Sequence, residues 1–265
     1  STFIPPVNTF INNKIGWRST WFIWSGALLF IFLPLVIVFL KNSPQKVGLE
    51  IDNIKLSKEE KNINYKKGVS NNWELDEVIK TRTFWFMAIS TAVPAFINTG
   101  LFFHLYSIIG SNGLDESKAA IVLSLYGVLS FIFSFIAGYV LDKVKVRYVL
   151  IISFIFQFLN ILLLIKVNNI ILLVIFGINL GIIEGFQKVS RKVIWPNYYG
   201  KKALGSISGF TMTTLVIGTS LSPLIMGASY DYFNGYTEVL LFIGGFTILG
   251  LILAFLSPKP QKIIK

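Results

Sequence analysis

The 265-residue sequence has no cysteine, one histidine and few charged residues. Without cysteine the chain forms no disulfide, no thiolate metal site and no cysteine nucleophile, and a lone histidine excludes a histidine-rich metal site. Charged residues make up 14% of the chain, whereas soluble domains carry about 25%. These shortages exclude a disulfide-stapled protein and argue against an ordinary soluble domain.

Apolar residues are abundant instead, at 54% of the chain with a mean hydropathy of +0.67. A helix needs about 20 mostly apolar residues to cross a bilayer. Runs of this kind cover residues 21–40, 83–109, 119–141, 148–165, 170–190, 203–230 and 239–257. Their length, and the absence of alternating polar residues, favours helices over barrel strands. The sequence therefore predicts an all-α membrane protein with seven transmembrane helices.

The remaining segments complete the predicted organisation. Residues 1–15 are short and interrupted by Pro5 and Pro6, which indicates the end of a preceding helix or an external loop, before a transmembrane helix at 16–40. Residues 41–82 are charged and rich in asparagine, as is typical of an aqueous loop. A six-helix unit at 83–257 and a short tail at 258–265 follow.

The formal net charge of +11 would suggest nucleic acid in a soluble protein. Because loops alternate across a membrane, the cations can be sorted by side. Twenty of the 24 lysines and arginines fall on the side of the long loop and the C-terminal tail. Cytoplasmic loops collect these residues. We therefore expect a multi-pass protein of the cell membrane with a cytoplasmic C-terminus, and nucleic acid is not needed to explain the charge.

The last six apolar runs are spaced as an internal repeat. The second and fifth runs start 87 residues apart, the third and sixth 84, and the fourth and seventh 91. Since three crossings separate the copies, the second copy would be inverted, which predicts a 3+3 inverted repeat of the kind found in secondary transporters. Evenly spaced helices without a repeat are the alternative. Two Gly-x-x-x-Gly series predict helix-packing faces, at Gly177, Gly181 and Gly185 and at Gly205 and Gly209.

Several motifs resemble the major facilitator superfamily. Residues 138–147, GYVLDKVKVR, are similar to its loop signature and match at Gly138, Asp142, Lys143 and Arg147. The stretches WPNYYGKKALGSISG at 195–209 and SPLIMGASYDYFNGY at 222–236 resemble bacterial members that carry monocarboxylates or exchange oxalate and formate.

This resemblance implies the C-terminal half of a twelve-helix carrier, so that the first five helices would be missing and the chain would be a fragment or one half of a split protein. It implies a secondary active transporter that moves a small organic solute, an organic anion among the candidates, by symport or antiport through alternating access. Gly138, Asp142, Lys143 and Arg147 would form the conformational motif. The sequence departs from the carboxylate carriers at Ser134, where they often have arginine, and in having no lysine in residues 203–230.

Three charged residues stand at the end of the fifth apolar run. Glu184, Lys188 and Arg191 are four and three residues apart and share a helix face. One interpretation is a site in which Glu184 accepts a coupling proton while Lys188 or Arg191 holds an anion. The other is a structural Glu184–Lys188 pair, with Arg191 extending to the membrane interface.

Other residues in or near the runs are weaker candidates. His104, Asn98, Tyr126 and Ser134 could contact the solute, or they could form ordinary hydrogen bonds between helices. Trp195, close to the end of the fifth run, is expected to anchor the membrane interface. No catalytic or phosphate-binding motif is present, so we expect no enzyme activity, cofactor or metal. A receptor-like or scaffold membrane protein, or an inactive transporter fragment, is the alternative function.

Overall fold

The computed structural model describes residues 4–40 and 73–262. The described residues are helical or irregular and contain no strand, which confirms the all-α prediction. Seven helices in this part of the chain are long and apolar enough to cross a membrane: Phe10–Phe39, Arg82–Ser111, Glu116–Lys143, Val146–Ile165, Ile170–Tyr199, Leu204–Phe233 and Thr237–Phe255. The protein is therefore an integral, multi-pass membrane protein.

The chain divides into two compact units, Ser1–Asn62 and Ile63–Lys265. In the first, α1 (Ile4–Ala27) continues through a π-helical turn at Leu28–Phe32 into α2 (Leu33–Phe39). Residues 4–15 are helical, with Pro5 and Pro6 in the first turn, where prolines are tolerated. Gly16 then breaks the helix, with φ 81° and ψ 160°, a conformation open to glycine.

In its described residues, 73–262, the second unit contains one short helix and six long ones, joined by short turns. Their bounds are α3 (Leu75–Val78), α4 (Arg82–Ser111), α5 (Ala119–Lys143, after a 3₁₀ turn), α6 (Val146–Ile165), α7 (Ile170–Tyr199), α8 (Leu204–Phe233) and α9 (Thr237–Phe255). Each long helix begins and ends within a few residues of the predicted run, except that α7 continues nine residues beyond its predicted end at 190.

The six long helices pack pairwise in the order α5, α7, α6, α9, α4, α8. The four inner helices, α7, α6, α9 and α4, are partly buried by their neighbours. The two end helices, α5 and α8, remain largely exposed. Of the 30 residues of α8, only Ile207, Ser222 and Met226 are buried. Two exposed helices thus flank a unit whose core lies between α4, α6, α7 and α9.

The α5–α7 contact is made by the glycine series of α7. A Cβ placed on Gly181 would lie 2.8 Å from the Leu129 Cβ, and one on Gly185 would lie 2.8 Å from the Phe133 Cβ. These glycines therefore form a packing face, as predicted. Gly205 and Gly209 pack against nothing in the described part of the chain, since no described atom lies within 4 Å of a Cβ built on either.

The end of the predicted aqueous loop packs against the bundle. Trp73 is buried, and its backbone N–H donates to the Tyr199 carbonyl at 3.1 Å. The Lys262 ammonium donates to Glu77 at 2.6 Å and holds the pKa of that carboxyl below its usual value. The rest of the predicted loop, residues 41–72, and residues 263–265 of the predicted tail lie outside the described residues.

Candidate functional site

A cavity of about 650 Å³ lies among four of the six long helices. It is walled by Thr91, Ala95, Asn98, Thr99 and Phe102 of α4, Tyr126 of α5, Glu184, Lys188, Arg191, Lys192 and Trp195 of α7, and Leu204, Ser208, Thr211, Met212, Leu215 and Thr219 of α8. Helices α6 and α9 contribute no wall residue. Helices α4, α5, α7 and α8 thus surround the cavity.

Glu184 lies in the cavity wall with both carboxylate oxygens engaged. Arg191 Nη2 donates to Oε1 at 3.0 Å, and Asn98 Nδ2 donates to Oε2 at 2.8 Å. Glu184 is only 8% exposed, and the Arg191 side chain is 19% exposed. The pair therefore has little access to solvent, and its mutual hydrogen bonds replace the water that each charge loses.

The local sequence explains how these three side chains meet. Glu184 and Arg191 are seven residues apart, which places them two turns apart on the same face of α7. Asn98 lies one turn after Pro94 on α4, in a helix that the proline already deprives of one backbone hydrogen bond. The Asn98–Glu184 bond joins α4 to α7, two helices that otherwise make few contacts.

Positive charge dominates the cavity wall. Lys188 and Lys192 are exposed there beside Arg191, so that three cations face one acid. Two buried polar atoms also lack a hydrogen-bond partner in the described chain: Arg191 Nη1, a donor, and Asn98 Oδ1, an acceptor. Buried polar groups are normally hydrogen-bonded, so both atoms retain unused bonding capacity next to the cavity.

Aromatic rings supply the apolar part of the wall. Phe102 and Tyr126 pack edge to face with ring centroids 4.7 Å apart across the α4–α5 boundary. Trp195 was expected to anchor the membrane interface, but it is 5% exposed and packs against Phe84 and Tyr199. Sequence patterns missed Phe102 and Trp195 as wall residues, because nothing in their spacing separates them from ordinary apolar residues.

Glu184, Lys188 and Arg191 all lie in the cavity wall, but they do not form the Glu184–Lys188 pair that one interpretation of the sequence predicts. Glu184 pairs with Arg191, and Lys188 forms no ion pair within residues 73–262. The expected Glu184–Lys188 pair is therefore wrong. Arg191 is the longer and more branched donor, and its guanidinium spans two turns to reach the carboxylate.

Ser134 lies elsewhere on α5. It is absent from the cavity wall, and its hydroxyl donates to the Phe131 carbonyl of its own helix at 2.7 Å. Tyr126, two turns earlier on the same helix, is the α5 residue that the cavity does include.

His104 also lies outside the cavity wall. Its Nε2 is 3.0 Å from the Pro223 carbonyl, and its Nδ1 is 3.1 Å from the Tyr236 hydroxyl. Because a carbonyl only accepts, Nε2 carries a proton and donates to it. The ring lies against Gly227 of α8, where an added Cβ would be in ordinary contact with His104 Cε1 at 3.6 Å. The histidine thus links α4, α8 and the start of α9.

The four motif residues lie at the turn between α5 and α6. A Cβ built on Gly138 would have no described atom within 4 Å, so no helix of the described residues approaches this glycine closely. Asp142 forms no ion pair within residues 73–262, while Lys143 donates to the Tyr139 hydroxyl. Asp142, Lys143 and Arg147 border a second cavity, of about 510 Å³.

Comparison with known protein families gives a match. The family model of the Major Facilitator Superfamily matches residues 84–264, which is most of the chain and all six long helices of the second unit. A search of curated proteins found no match. The chain belongs to the Major Facilitator Superfamily, a family of membrane transporters.

Proposed function

We propose that this facilitator-type transporter moves a small organic anion by alternating access, and that the cavity among α4, α5, α7 and α8 holds the solute. The observation that carries the proposal is Arg191, a partly buried cation in the cavity wall whose buried donor atom Nη1 has no partner in the described chain. An arginine guanidinium binds carboxylates through two parallel hydrogen bonds.

The surrounding residues fit an organic anion with an apolar body. Lys188 and Lys192 add positive charge at the exposed part of the wall. Phe102 of α4 and Tyr126 of α5 supply apolar surface, and Trp195 adds to it from the same helix as the cations. Arg191 on α7 would provide the cation that carboxylate carriers of this family often place on α5, where this chain has Ser134.

Glu184 is the proposed proton-coupling residue. Its carboxylate competes with an incoming anion for the same guanidinium, because Arg191 Nη2 already donates to it. When the solute binds Arg191, Glu184 loses its cation and is stabilised by taking up a proton. Uptake of the anion and of a proton would then be linked at one site, as symport or as exchange.

The proposed conformational change rests on a 3+3 inverted repeat. In this repeat α4 corresponds to α7, α5 to α8 and α6 to α9. The α5–α7 contact then corresponds to the α8–α4 contact, and the α6–α7 contact to the α9–α4 contact. The α6–α9 contact converts into itself. The packing is thus consistent with two related triplets around one axis, the arrangement used for alternating access.

Further helices would close the exposed side of the cavity. Thr213 and Ser220 of α8 are exposed, and polar side chains in a membrane span usually face protein or water. We propose that a second helical half, in the same protein or as a partner chain, covers this side in a cell membrane. The C-terminus would lie in the cytoplasm, in keeping with the 20-to-4 distribution of cations.

A ligand screen on the purified protein tests the anion specificity. The melting temperature in neutral detergent is measured with monocarboxylates, dicarboxylates, neutral sugars and organic cations. A ligand that binds only the folded state at about 100 times its Kd stabilises that state by about 2.7 kcal/mol. We expect stabilisation by at least one organic anion; stabilisation by sugars or cations alone would contradict the proposal. Binding without uptake into proteoliposomes would instead support the receptor-like or inactive alternative.

A further inference from the structure

The second cavity is basic and shares no wall residue with the first. It lies between the α5–α6 turn, the end of α7 and the segment after α9. Four cations border it, with one acid, Asp142. The cations are Lys143, Lys145, Arg147 and Lys259. No part of the proposed transport cycle uses this cavity as a binding site.

Arg147 is its most deeply placed cation. The guanidinium carbon lies 5.3 Å from the Phe255 ring centroid and 5.7 Å from that of Tyr148. Its Nε is buried without a hydrogen-bond partner, and Arg147 forms no ion pair within residues 73–262. A fixed guanidinium with a buried unpaired N–H is a donor that lacks its acceptor.

The start of α6 adds to this positive field. Lys145 is the residue before the helix, and no side chain accepts a hydrogen bond from the first turn. Val146, Arg147 and Tyr148 of that turn border the cavity. The positive end of a 20-residue helix and the four cations therefore favour the same occupant, an anion.

An apolar surface leads away from the cavity along α6. Tyr148, Ile152, Phe156 and Leu159 are 48%, 53%, 55% and 53% exposed. Their spacing of four, four and three residues puts them on one face of a helix that crosses the membrane. An apolar stripe that starts at a basic cavity matches a molecule with an anionic head and hydrocarbon chains.

We infer that the second cavity binds the phosphate group of an anionic phospholipid, whose acyl chains lie along α6. Arg147 and Lys259 hold the phosphate from opposite walls, and Lys145 adds charge at the entrance. Asp142 is free to accept a hydrogen bond from a headgroup hydroxyl. Because the walls come from α5, α6, α7 and the end of α9, the bound headgroup ties four elements together and stabilises the fold. The expected cytoplasmic position of this end agrees with the anionic inner leaflet.

Lipid titration of the purified protein in neutral detergent tests this site. We expect phosphatidylglycerol to raise the melting temperature, and phosphatidylcholine at equal concentration to leave it unchanged. Arg147→Gln and Lys259→Gln should each raise the half-saturating phosphatidylglycerol concentration about tenfold, the loss of one charge-assisted hydrogen bond. Lys166→Gln, at the exposed opposite end of α6, serves as the matched control and should behave as the wild type.

Inorganic phosphate and glycerol phosphate distinguish the two sources of a phosphate group. Neither should protect the protein, since they lack acyl chains; protection by either one would overturn the lipid assignment in favour of a soluble ligand. Equal protection by phosphatidylcholine, or an unchanged response in Lys145→Gln and Lys259→Gln, would overturn the site itself. Both lysines are exposed, so these variants remain decisive if Arg147→Gln does not fold.

Discussion

Glu184 and Arg191 are an ion pair inside a membrane span, where desolvation of each charge costs several kcal/mol. Such a pair adds little stability over an apolar pair of the same size, yet removing one partner leaves the other charge buried alone. The unused donor on Arg191 and the unused acceptor on Asn98 point to a third participant in this network. Function therefore explains the pair better than stability does.

A double variant separates the two explanations. Arg191→Gln alone should lower the free energy of unfolding by about 3–5 kcal/mol, because Glu184 loses its cation. The double variant with Glu184→Gln should recover most of this stability. Solute binding should be lost in both the single and the double variant, because both lack Arg191. The melting temperature and ligand-induced stabilisation of both variants provide the measurement. Full binding by the stable double variant would show that Arg191 does not contact the solute.

Glu184→Gln alone tests proton coupling. Glutamine keeps the size and the hydrogen bond to Asn98 but cannot take up a proton. We expect solute exchange to persist while proton-driven accumulation in proteoliposomes is lost at every pH. The control is Glu238→Gln, an exposed acid in the first turn of α9. Accumulation with unchanged pH dependence in Glu184→Gln would exclude the coupling role.

At the scale of elements, the α5–α7 contact depends on the absence of side chains on α7. Gly185→Ala places a methyl group 2.8 Å from the Phe133 Cβ and 3.0 Å from its backbone, so the helices must move apart. Overpacking of this kind costs about 1–3 kcal/mol, which lowers the melting temperature by roughly 2–10 °C. Gly209→Ala has open space around it and should leave the melting temperature unchanged or raised. Equal effects of the two substitutions would contradict the packing.

The helices could be predicted from the sequence more completely than their contacts. Runs of about 20 apolar residues are required by the bilayer alone, so the helix positions follow from composition. The end of α7 was missed because the apolar run stops near residue 190, whereas Arg191 and Lys192 lie on further helical turns that line the cavity. The Asn98–Glu184 bond links residues 86 positions apart, and no spacing rule predicts such a contact.

The same limit applies to Trp195 and Gly209. A tryptophan near a predicted helix end and a Gly-x-x-x-Gly spacing have common interpretations, as an interfacial anchor and as a packing face. Which interpretation holds depends on the neighbouring helix. Trp195 faces the cavity and the aromatic cluster of α4 and α7, and Gly209 lies on the exposed helix α8.

For the whole molecule, the orientation can be tested because the chain contains no cysteine. Asn168→Cys, at the α6–α7 turn, and Lys259→Cys, after α9, introduce single thiols at opposite ends of the bundle. In intact cells a membrane-impermeant maleimide should label Asn168→Cys only, and both variants after permeabilisation. Labelling of Lys259→Cys in intact cells would reverse the proposed orientation.

Uptake by the reconstituted protein tests the central proposal most directly. Proteoliposomes with an imposed pH gradient are supplied with the organic anion that stabilises the protein best, and its accumulation is measured for the wild type, Arg191→Gln and Lys166→Gln. We expect the wild type and Lys166→Gln to accumulate the anion equally, and Arg191→Gln to lose at least about tenfold in rate, the value of one charge-assisted hydrogen bond. Equal uptake by Arg191→Gln would contradict transport through this cavity.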